Sequence, residues 1–418
     1  MVKSLSKLKE LIAEYCPNGV PYRTIESVII SLNTGLNPRK FFKLNTEDAL
    51  NYYVTIREMK NGHISFNSNT DRINDNALKL CNNRSNLEVD DLLFSGTGTI
   101  GEIVVIDKEP LNWNIKEGIY AIKPNKTLIV SKFLKYCLQS EKIRLSYMSK
   151  IAGGTVKSLS MSDLKKVLIP VPPIEVQNEI VRILDNFTEL EAELEAELEA
   201  VKKQYGYYRD EILSFKDEVK MTESLKAILS FCNVCIDNGY KVEYKELGKV
   251  AKFRYGKGNT IPENRIGYPV YGCNGIVGST DEYNSEDAPI IGHIGSAGVV
   301  NWGKGKHFVT YNGTICDADK NIITPKYLYH LLCSLKLETR VKGSQPFLSY
   351  GDFSNIKIPI HSIEIQNAIV TVLDRFEKYA NDLSCGLPAE IEKRKQQYEY
   401  YRDLLVKFED ISEVQTAI

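Results

Sequence analysis

A stretch of 25 residues occurs twice in this chain and decides how the rest is interpreted. Residues 163–187 have the sequence DLKKVLIPVPPIEVQNEIVRILDNF, and residues 352–376 have the sequence DFSNIKIPIHSIEIQNAIVTVLDRF. The two stretches are identical at 12 positions without a gap, at an offset of 189 residues. Self-similarity of this kind is typical of a duplicated architecture.

Two further matches extend the repeat in both directions. Residues 204–215 (QYGYYRDEILSF) correspond to residues 397–408 (QYEYYRDLLVKF), and residues 20–28 (VPYRTIESV) correspond to residues 242–250 (VEYKELGKV). The three matches occur in the same order, whereas the segments between them differ in length and sequence. The chain therefore consists of two copies, each with a variable middle and a shared tail.

The composition is that of a globular protein. The chain has 418 residues, of which 43% are hydrophobic and 26% charged, and this excludes a disordered chain, collagen and a small disulfide scaffold. Its length predicts two or three domains. The chain contains no run of 18 apolar residues, so we expect no membrane span. The first residues lack the apolar block of a signal peptide. The nine cysteines are scattered, which favours reduced thiols and a cytoplasmic protein.

Charge is distributed unevenly along the chain, although its net value is only −1. Residues 20–158 carry 19 basic and 14 acidic side chains, residues 240–350 carry 14 and 10, and the remainder carries 20 and 30. Two mildly basic segments thus alternate with acidic ones. A basic surface is the expected footprint of phosphate contact, although ordinary solvated faces also account for so modest an excess.

The shared tails are predicted to be long helices. From Ile180 to Phe215 apolar residues recur at steps of three and four, which is typical of a coiled-coil seam. We expect one helix over residues 175–219, roughly 65 Å long at ~1.5 Å per residue. The second tail, residues 364–418, is expected to break at residues 384–388 and to pack antiparallel to the first. The expected seam and docking residues are Phe187, Leu190, Leu194, Leu198, Tyr205, Tyr208, Phe376, Tyr398 and Tyr401.

The variable middles contain short β-type runs separated by turn signals, and each ends with a helical segment, at residues 131–139 and 325–334. Their loops carry side chains that can pair with bases or phosphates. In the first middle these are Arg39, Lys40, Arg57, Lys60, Asn61, His63, Asn67, Asn69 and Arg72. In the second they are Arg254, Lys257, Asn259, Arg265, Asn274, His293, Lys304, Lys306, Lys342 and Gln345.

One glycine motif is typical of nucleotide-binding proteins and of methyltransferases. Gly96, Gly98 and Gly101 fit the dinucleotide fingerprint, but the residues that follow (EIVVID) predict a strand instead of the helix that phosphate binding requires. We therefore expect a tight turn that lets another backbone or DNA approach. The corresponding segment of the second copy, residues 292–299, keeps glycines but not this spacing. The five histidines form no metal-like pair, so we expect neither catalysis nor a metal site on this chain.

Several of these motifs together resemble the specificity subunit of type I restriction–modification systems. They are residues 169–188 and their copy at 358–376, the two QYxYYRD tails, residues 92–103 (LLFSGTGTIGEI), residues 163–169 (DLKKVLI) and residues 268–279 (YPVYGCNGIVGS). The resemblance implies an α+β fold in which two β-rich target-recognition domains are joined by two long antiparallel coiled-coil helices with pseudo-two-fold symmetry. It divides the chain into recognition domains at residues 1–174 and 220–363 and helical spacers at residues 175–219 and 364–418.

The same resemblance implies a DNA-recognition subunit without catalysis. Each recognition domain would read one half of a bipartite double-stranded target, and the paired helices would set the spacer and dock two modification subunits. S-adenosylmethionine, ATP and Mg²⁺ would belong to those modification subunits and to the restriction (motor–nuclease) subunits, with no cofactor on this chain. Two alternatives remain open from the residues: a DNA methyltransferase with its own S-adenosylmethionine site, and a coiled-coil protein-interaction adaptor.

Overall fold

The computed structural model describes residues 2–152, 157–214, 223–234, 242–258, 267–341, 346–382 and 384–411. The chain divides into two compact units. The first unit comprises Met1–Glu193 and Glu392–Ile418, and the second unit comprises Leu194–Ile391. Every helix among the described residues is too short or too polar to cross a membrane.

The first variable middle is an α+β arrangement of short elements. In chain order these are α1 (Val2–Tyr15), β1 (Tyr22–Thr24), α2 (Ile25–Val28), β2 (Ile29–Thr34), α3 (Pro38–Phe41), β3 (Asn51–Val54), β4 (Met59–Lys60), β5 (His63–Ile64), β6 (Arg72–Ile73), α4 (Asp75–Ser85), β7 (Leu92–Ser95), β8 (Ile103–Val105), β9 (Trp113–Ile115), β10 (Ile119–Pro124), α5 (Ser131–Gln139), α6 (Glu141–Met148), α7 (Met161–Lys165) and β11 (Leu168–Pro170). The helix predicted at residues 131–139 is α5.

The long helix and the second copy follow. The elements are α8 (Ile174–Ser214), α9 (Glu223–Phe231), β12 (Glu243–Glu246), α10 (Leu247–Val250), β13 (Ala251–Tyr255), β14 (Tyr268–Gly272), β15 (Gly275–Thr280), β16 (Ser285–Gly292), β17 (Val300–Val309), β18 (Gly313–Ala318), α11 (Pro325–Ser334), β19 (Lys357–Ile360), α12 (Ile363–Asn381) and α13 (Leu387–Leu405). The second tail is therefore broken where the sequence predicted. The first helix is described to Ser214, and residues 215–219 of the prediction lie outside the described residues.

The first unit contains a four-stranded sheet in the order β2-β10-β7-β8 and a three-stranded sheet in the order β6-β3-β9. Its core is formed by the four-stranded sheet, α5, α6 and the beginning of α8, with fully buried side chains such as Phe94, Phe133 and Tyr136. In the second unit a single six-stranded sheet has the order β13-β18-β16-β17-β14-β15. Tyr327 and Leu328 on α11 are fully buried in its core.

A short antiparallel strand pair closes the variable middle in each unit. In the first unit β1 pairs with β11, and in the second unit β12 pairs with β19. The strands of each pair lie at the two ends of one variable middle, and the second strand leads directly into a long helix. This explains why residues 20–28 and 242–250 repeat together with the tails, since each short segment is the partner of the strand that precedes its tail.

The shared tails pack antiparallel within each unit. In the first unit the ring of Phe187 on α8 stacks on Tyr401 of α13 with centroids 5.3 Å apart. One turn further along α8, Glu191 Oε1 lies 3.5 Å from Lys395 Nζ, which is earlier in α13. In the second unit Tyr379 on α12 donates a hydrogen bond of 3.3 Å to Glu197 on α8.

Candidate nucleic-acid interface

The glycine motif of the first unit forms a hairpin loop between β7 and β8, which pair antiparallel. Gly98 and Gly101 have φ values of +80° and +93°, which favour glycine. A second backbone segment lies against the loop, because Gly98 N donates to Lys157 O at 2.9 Å. The loop continues into a strand, so it has no helix N-terminus to hold a phosphate. The structure confirms the tight turn that the sequence predicted.

The second unit contains the same loop between β16 and β17. Gly295 and Gly298 both have φ of +88°, and Gly295 N donates to Pro346 O at 3.3 Å. The two left-handed glycines thus keep their separation of three residues in both copies, although the second copy lacks the full three-glycine spacing of the first, as expected. His293 takes the place of Gly96, because Leu348 N donates to its carbonyl as Leu159 N does to that of Gly96.

His293 was predicted as a DNA-contact residue, but its ring is nearly inaccessible, with 1% of its surface exposed. Its Nδ1 lies 2.8 Å from the carbonyl oxygen of Leu348, which belongs to the segment that packs against the loop. The ring also lies between Tyr255 and Phe347, at centroid distances of 4.2 Å and 4.7 Å. In this position the ring is packed within the protein and does not reach solvent.

A basic side chain stacks on a half-buried tyrosine ring beside an exposed phenylalanine in the first unit. The Arg72 guanidinium carbon lies 4.6 Å from the centroid of the Tyr52 ring, and that ring stacks on Phe66 at 4.2 Å with an interplanar angle of 12°. Arg72 also donates to Tyr52 Oη at 3.4 Å, which holds the guanidinium in place. We call Arg72, Tyr52 and Phe66 the first cation–aromatic surface.

Several other predicted DNA-contact residues lie on segments of the first unit near the first cation–aromatic surface in the sequence. Arg57 pairs with Asp71 at 2.7 Å, directly before Arg72 in the chain. The hairpin of β4 and β5 presents Lys60, Asn61 and His63 as exposed side chains. Arg39, Lys40, Asn67 and Asn69 are also exposed.

The second unit has an equivalent arrangement at the corresponding strand. Lys306 Nζ lies 4.7 Å from the centroid of the Tyr283 ring, and Tyr283 packs edge-on against Tyr268 at 5.2 Å. Tyr52 lies on β3, which pairs in parallel with β9, and Tyr268 lies on β14, which pairs in parallel with β17. We call Lys306, Tyr283 and Tyr268 the second cation–aromatic surface.

Lys306 of this second surface is a charged donor at neutral pH, as lysine ordinarily is. The Tyr283 hydroxyl, through its charge and its hydrogen bond to the ammonium group, raises the pKa of Lys306 further. The side chain is exposed, so the ammonium group also stays hydrated. A permanently charged donor on an aromatic face is suited to binding a phosphate or a base edge.

The remaining predicted residues of the second unit are dispersed. Arg254 is engaged by Asp317, with 2.5 Å between its Nε and Oδ2, and it donates to Asn284 O at 2.8 Å. Lys257, Asn274 and Lys304 are exposed on separate loops or strands. Four predictions fall outside the described residues: Asn259, Arg265, Lys342 and Gln345.

One cluster has the composition of a metal site. The ligand atoms of His330, Asp374 and Glu377 lie within 4.8 Å of one another. Lys326 Nζ already lies 3.2 Å from Asp374 and 3.4 Å from Glu377, so one ammonium group pairs with both carboxylates and offsets part of their negative charge. The equivalent ion pair in the first unit joins Lys132 to Asp185 at 2.6 Å. The repetition of the pair indicates that this is a structural link between α11 and α12.

The predicted seam residues differ in how far they are covered. Phe187 is 4% exposed, Tyr205, Tyr208, Tyr398 and Tyr401 are half-buried against the two cores, and Leu190 is 44% exposed. Leu194, Leu198 and Phe376 are half-buried. Phe376 lines an apolar groove of about 580 Å³ between α9 and α12. The seam therefore changes along its length from a closed core to a partly open helix face.

Sequence reasoning missed the aromatic members of both cation–aromatic surfaces. The candidates were chosen only for hydrogen-bonding groups, so none of Tyr52, Phe66, Tyr268 and Tyr283 was among them. The chain contains 24 tyrosines, and their abundance in segments with many turn residues was the available signal. Aromatic rings that are part exposed beside a cation are a common feature of surfaces that bind nucleic acids.

Comparison with known proteins places these features in context. The sequence model described as "Type I restriction modification DNA specificity domain" matches residues 22–200 and 239–393. The EcoR124I/EcoR124II type I restriction enzyme specificity subunit of Escherichia coli is 32% identical over 323 residues, covering 68% of this chain and 72% of the relative.

Solved structures show the same fold at low sequence identity. The crystal structure of the S subunit of a type I restriction–modification system from M. genitalium aligns with a TM-score of 0.52 and 19% identity, over 93% of this chain and 96% of the other. A chain from a structural study of complex assembly and conformational transition of the type I system aligns with a TM-score of 0.52 and 16% identity, over 93% and 98%.

Proposed function

Because the chain belongs to the family of type I restriction–modification DNA specificity subunits, we propose that its two units read the two halves of a split DNA target. The chain is the DNA-recognition component of such a system. In this assignment methyl transfer and DNA cleavage belong to partner subunits, the modification subunits and the restriction subunits, which bring S-adenosylmethionine, ATP and Mg²⁺. The complex acts on DNA, so we place it in the cytoplasm.

One observation carries the proposal: each unit repeats the same framework but presents different side chains on it. The hairpin loop, the strand pair that closes the unit and the start of the long helix are common to both. The surface at the equivalent strands β3 and β14 carries Arg72 on Tyr52 in one unit and Lys306 on Tyr283 in the other. Two different surfaces on one framework suit a protein that reads two different sequences in one geometry.

We assign the DNA contact to the two cation–aromatic surfaces. Arginine and lysine bind phosphate oxygens and guanine edges, and exposed aromatic rings contact bases or sugars. The basic excess of residues 20–158 and 240–350 supports this assignment, since both surfaces lie within those segments. Arg254 and His293 are engaged within the protein, so we assign them positioning roles.

The antiparallel tails are proposed to set the distance between the half-sites and to dock two modification subunits. In this proposal residues 1–174 and 220–363 form the target-recognition domains, and residues 175–219 and 364–418 form the spacers. The stacking of Phe187 on Tyr401 supports a fixed pairing of the helices, because both rings are held in place within one unit. A continuous helix of 41 residues is stiff enough to serve as a ruler.

The test is to sequence the methylated sites produced by the chain with its modification subunits. We expect a bipartite motif with a non-specific gap, and a continuous, ungapped motif would refute the proposal. Tyr52→Ala should change the preference for one half-site, and Tyr268→Ala should change only the other. The matched control is Tyr15→Ala, since this tyrosine is 45% exposed on α1 and belongs to neither surface.

A salt titration tests the cations of the same surfaces. Arg72→Ala and Lys306→Ala should each lower the affinity of the complex for DNA. Each should also reduce the slope of log affinity against log salt concentration by about one, the loss of one phosphate contact. The control is Lys126→Ala, because this exposed lysine is paired with Asp90 at 2.7 Å and belongs to neither surface. Equal effects of the control and the two test variants would show that only net charge matters.

A further inference from the structure

Two tyrosines that are identical in the two copies are exposed in both. Tyr207 on α8 is 66% exposed, and its counterpart Tyr400 on α13 is 63% exposed. They occupy the same position of the QYxYYRD motif. Their neighbours in the motif are covered, because Tyr205 and Tyr208 pack against the core of the second unit, and Tyr398 and Tyr401 against that of the first.

The intramolecular contacts of the motif account for its other residues. Arg209 lies over the ring of Tyr205 at 5.5 Å and pairs with Asp210 at 2.8 Å. Arg402 lies over the ring of Tyr398 at 5.6 Å and pairs with Asp403 at 3.0 Å. The packing of each unit therefore explains why these residues recur. It does not explain Tyr207 and Tyr400, whose rings meet the next tyrosine edge-on, at 5.6 Å and 5.4 Å, and remain largely exposed.

A repeated exposed aromatic residue suggests a binding partner, whereas a repeated exposed polar residue does not. Glu175 and Glu364, and Asn178 and Asn367, are also identical and exposed, but such side chains are hydrated and need no partner. A tyrosine ring in water gains nothing for the fold, whereas tyrosine is enriched at the centres of protein interfaces. The same ring at the same place in both copies therefore fits a partner that binds twice.

The exposed amide beside each ring supports this interpretation. Gln204 and Gln397 precede the two tyrosines by three positions and are both exposed. Residues three apart lie on one helix face, so each unit presents the same glutamine–tyrosine pair to the same side of its helix. An aromatic ring with a hydrogen-bonding amide next to it is suited to a protein surface with an apolar pocket and a polar rim.

We propose that Tyr207 and Tyr400 are equivalent anchors for two copies of the modification subunit, one for each unit. This inference rests on the proposed function, which requires two such subunits, and it specifies the side chains that hold them. One modification subunit binds each of the two sites through the same contacts. Loss of one tyrosine therefore weakens binding at its own site and leaves the other site unchanged. Occupancy of the sites by a second copy of this chain is a competing outcome of the test.

The experiment measures how many modification subunits bind the full chain. Native mass spectrometry of the wild type should give two per chain. Tyr207→Ala and Tyr400→Ala should each leave one tightly bound subunit and weaken the other at least tenfold, and the double variant should lose both. Tyr15→Ala is the matched control, since Tyr15 is 45% exposed on α1 and belongs to neither QYxYYRD motif.

Conservative variants and a fold check make the outcome decisive. Tyr207→Phe and Tyr400→Phe keep the ring and should keep both subunits bound, while circular dichroism should report the same helix content in all variants. Two subunits bound to the double alanine variant with unchanged affinity would overturn the inference, as would dimerisation of the wild-type chain that the variants abolish. A wild type that binds no modification subunit would instead refute the proposed function.

Discussion

Gln177 and Gln366 make the same three hydrogen bonds in the two units, and both are fully buried. Gln177 accepts from Val130 N at 2.8 Å and donates to Leu128 O and Pro172 O at 2.9 Å and 2.7 Å. Gln366 accepts from Thr324 N at 2.8 Å and donates to Ile322 O and His361 O at 2.9 Å and 2.8 Å. Each glutamine thereby joins the loop before α5 or α11 to the first turn of α8 or α12.

Replacing one of these glutamines should strongly destabilise its unit. Gln366→Leu leaves Thr324 N and two carbonyl oxygens buried without their partner, at a cost of about 1–3 kcal/mol each. We expect the free energy of unfolding to fall by about 3 kcal/mol or more, measured by urea denaturation. The control is Gln396→Leu, because Gln396 is exposed and bonds only to Glu392 at 3.0 Å. A similar loss in the control would contradict the role of the buried network.

Two glycines should respond in opposite ways to substitution by alanine. A Cβ at Gly96 would lie 2.2 Å from Cε2 of Tyr120, whose hydroxyl donates to Leu159 O at 2.6 Å and cannot move aside. Gly96→Ala should lower stability by about 1–3 kcal/mol through overpacking. Gly206 has no atom within 4 Å of such a Cβ and lies inside α8, so Gly206→Ala should raise stability by about 0.5–1 kcal/mol. Thermal unfolding of both variants checks this, and destabilisation by Gly206→Ala would count against it.

Acid should weaken the second unit through one buried histidine. Burial lowers the pKa of His361 to about 4 from its ordinary value of 6.5, and its side chain is 3% exposed. Between these values the unfolded chain binds a proton that the folded chain excludes, so the free energy of unfolding falls as the pH drops from 6.5 towards 4. At ~1.4 kcal/mol per pKa unit the loss is on the order of 2 kcal/mol at about pH 5.

The His361→Leu variant isolates this effect, because leucine has a similar volume and takes no proton. Urea denaturation of both proteins at about pH 7 and pH 5 should show a smaller loss of stability in the variant. Other titrating groups act equally on both proteins and cancel in the difference. Identical pH dependence of the two proteins would show that folding does not lower the pKa of His361.

Changing the length of α8 should change the gap between the half-sites. The tetrapeptide repeat of residues 191–199 lies in the part of α8 where the helix passes from one unit to the other. One added Glu-Ala-Glu-Leu unit lengthens a helix by ~6 Å, which is about one to two base pairs at ~3.4 Å each. Sequencing of methylated DNA should show a longer gap between two unchanged half-sites. An unchanged gap would refute the proposal that the length of α8 sets the distance between the half-sites.

Periodicity and repetition were sufficient to predict the framework of this protein. The steps of three and four residues predicted α8, the glycine and proline at residues 386 and 388 predicted the break before α13, and the amphipathic runs predicted α5 and α11. These features depend on the order of side chains along a few turns of chain. Local geometry therefore determines them, and the late helix of the variable middle is confirmed in both copies, as α5 and α11.

Residue order alone predicts a duplicated chain with two long helical tails, because hydrophobic spacing and identity between copies are properties of residue order. The folded structure is needed to show which side chains meet: that His293 takes the place of Gly96, that Arg72 lies on Tyr52 and Lys306 on Tyr283, and which tyrosines of the repeated motif stay exposed. These contacts join residues far apart in the chain, and side-chain exposure depends on everything that packs around a residue, which no local pattern encodes.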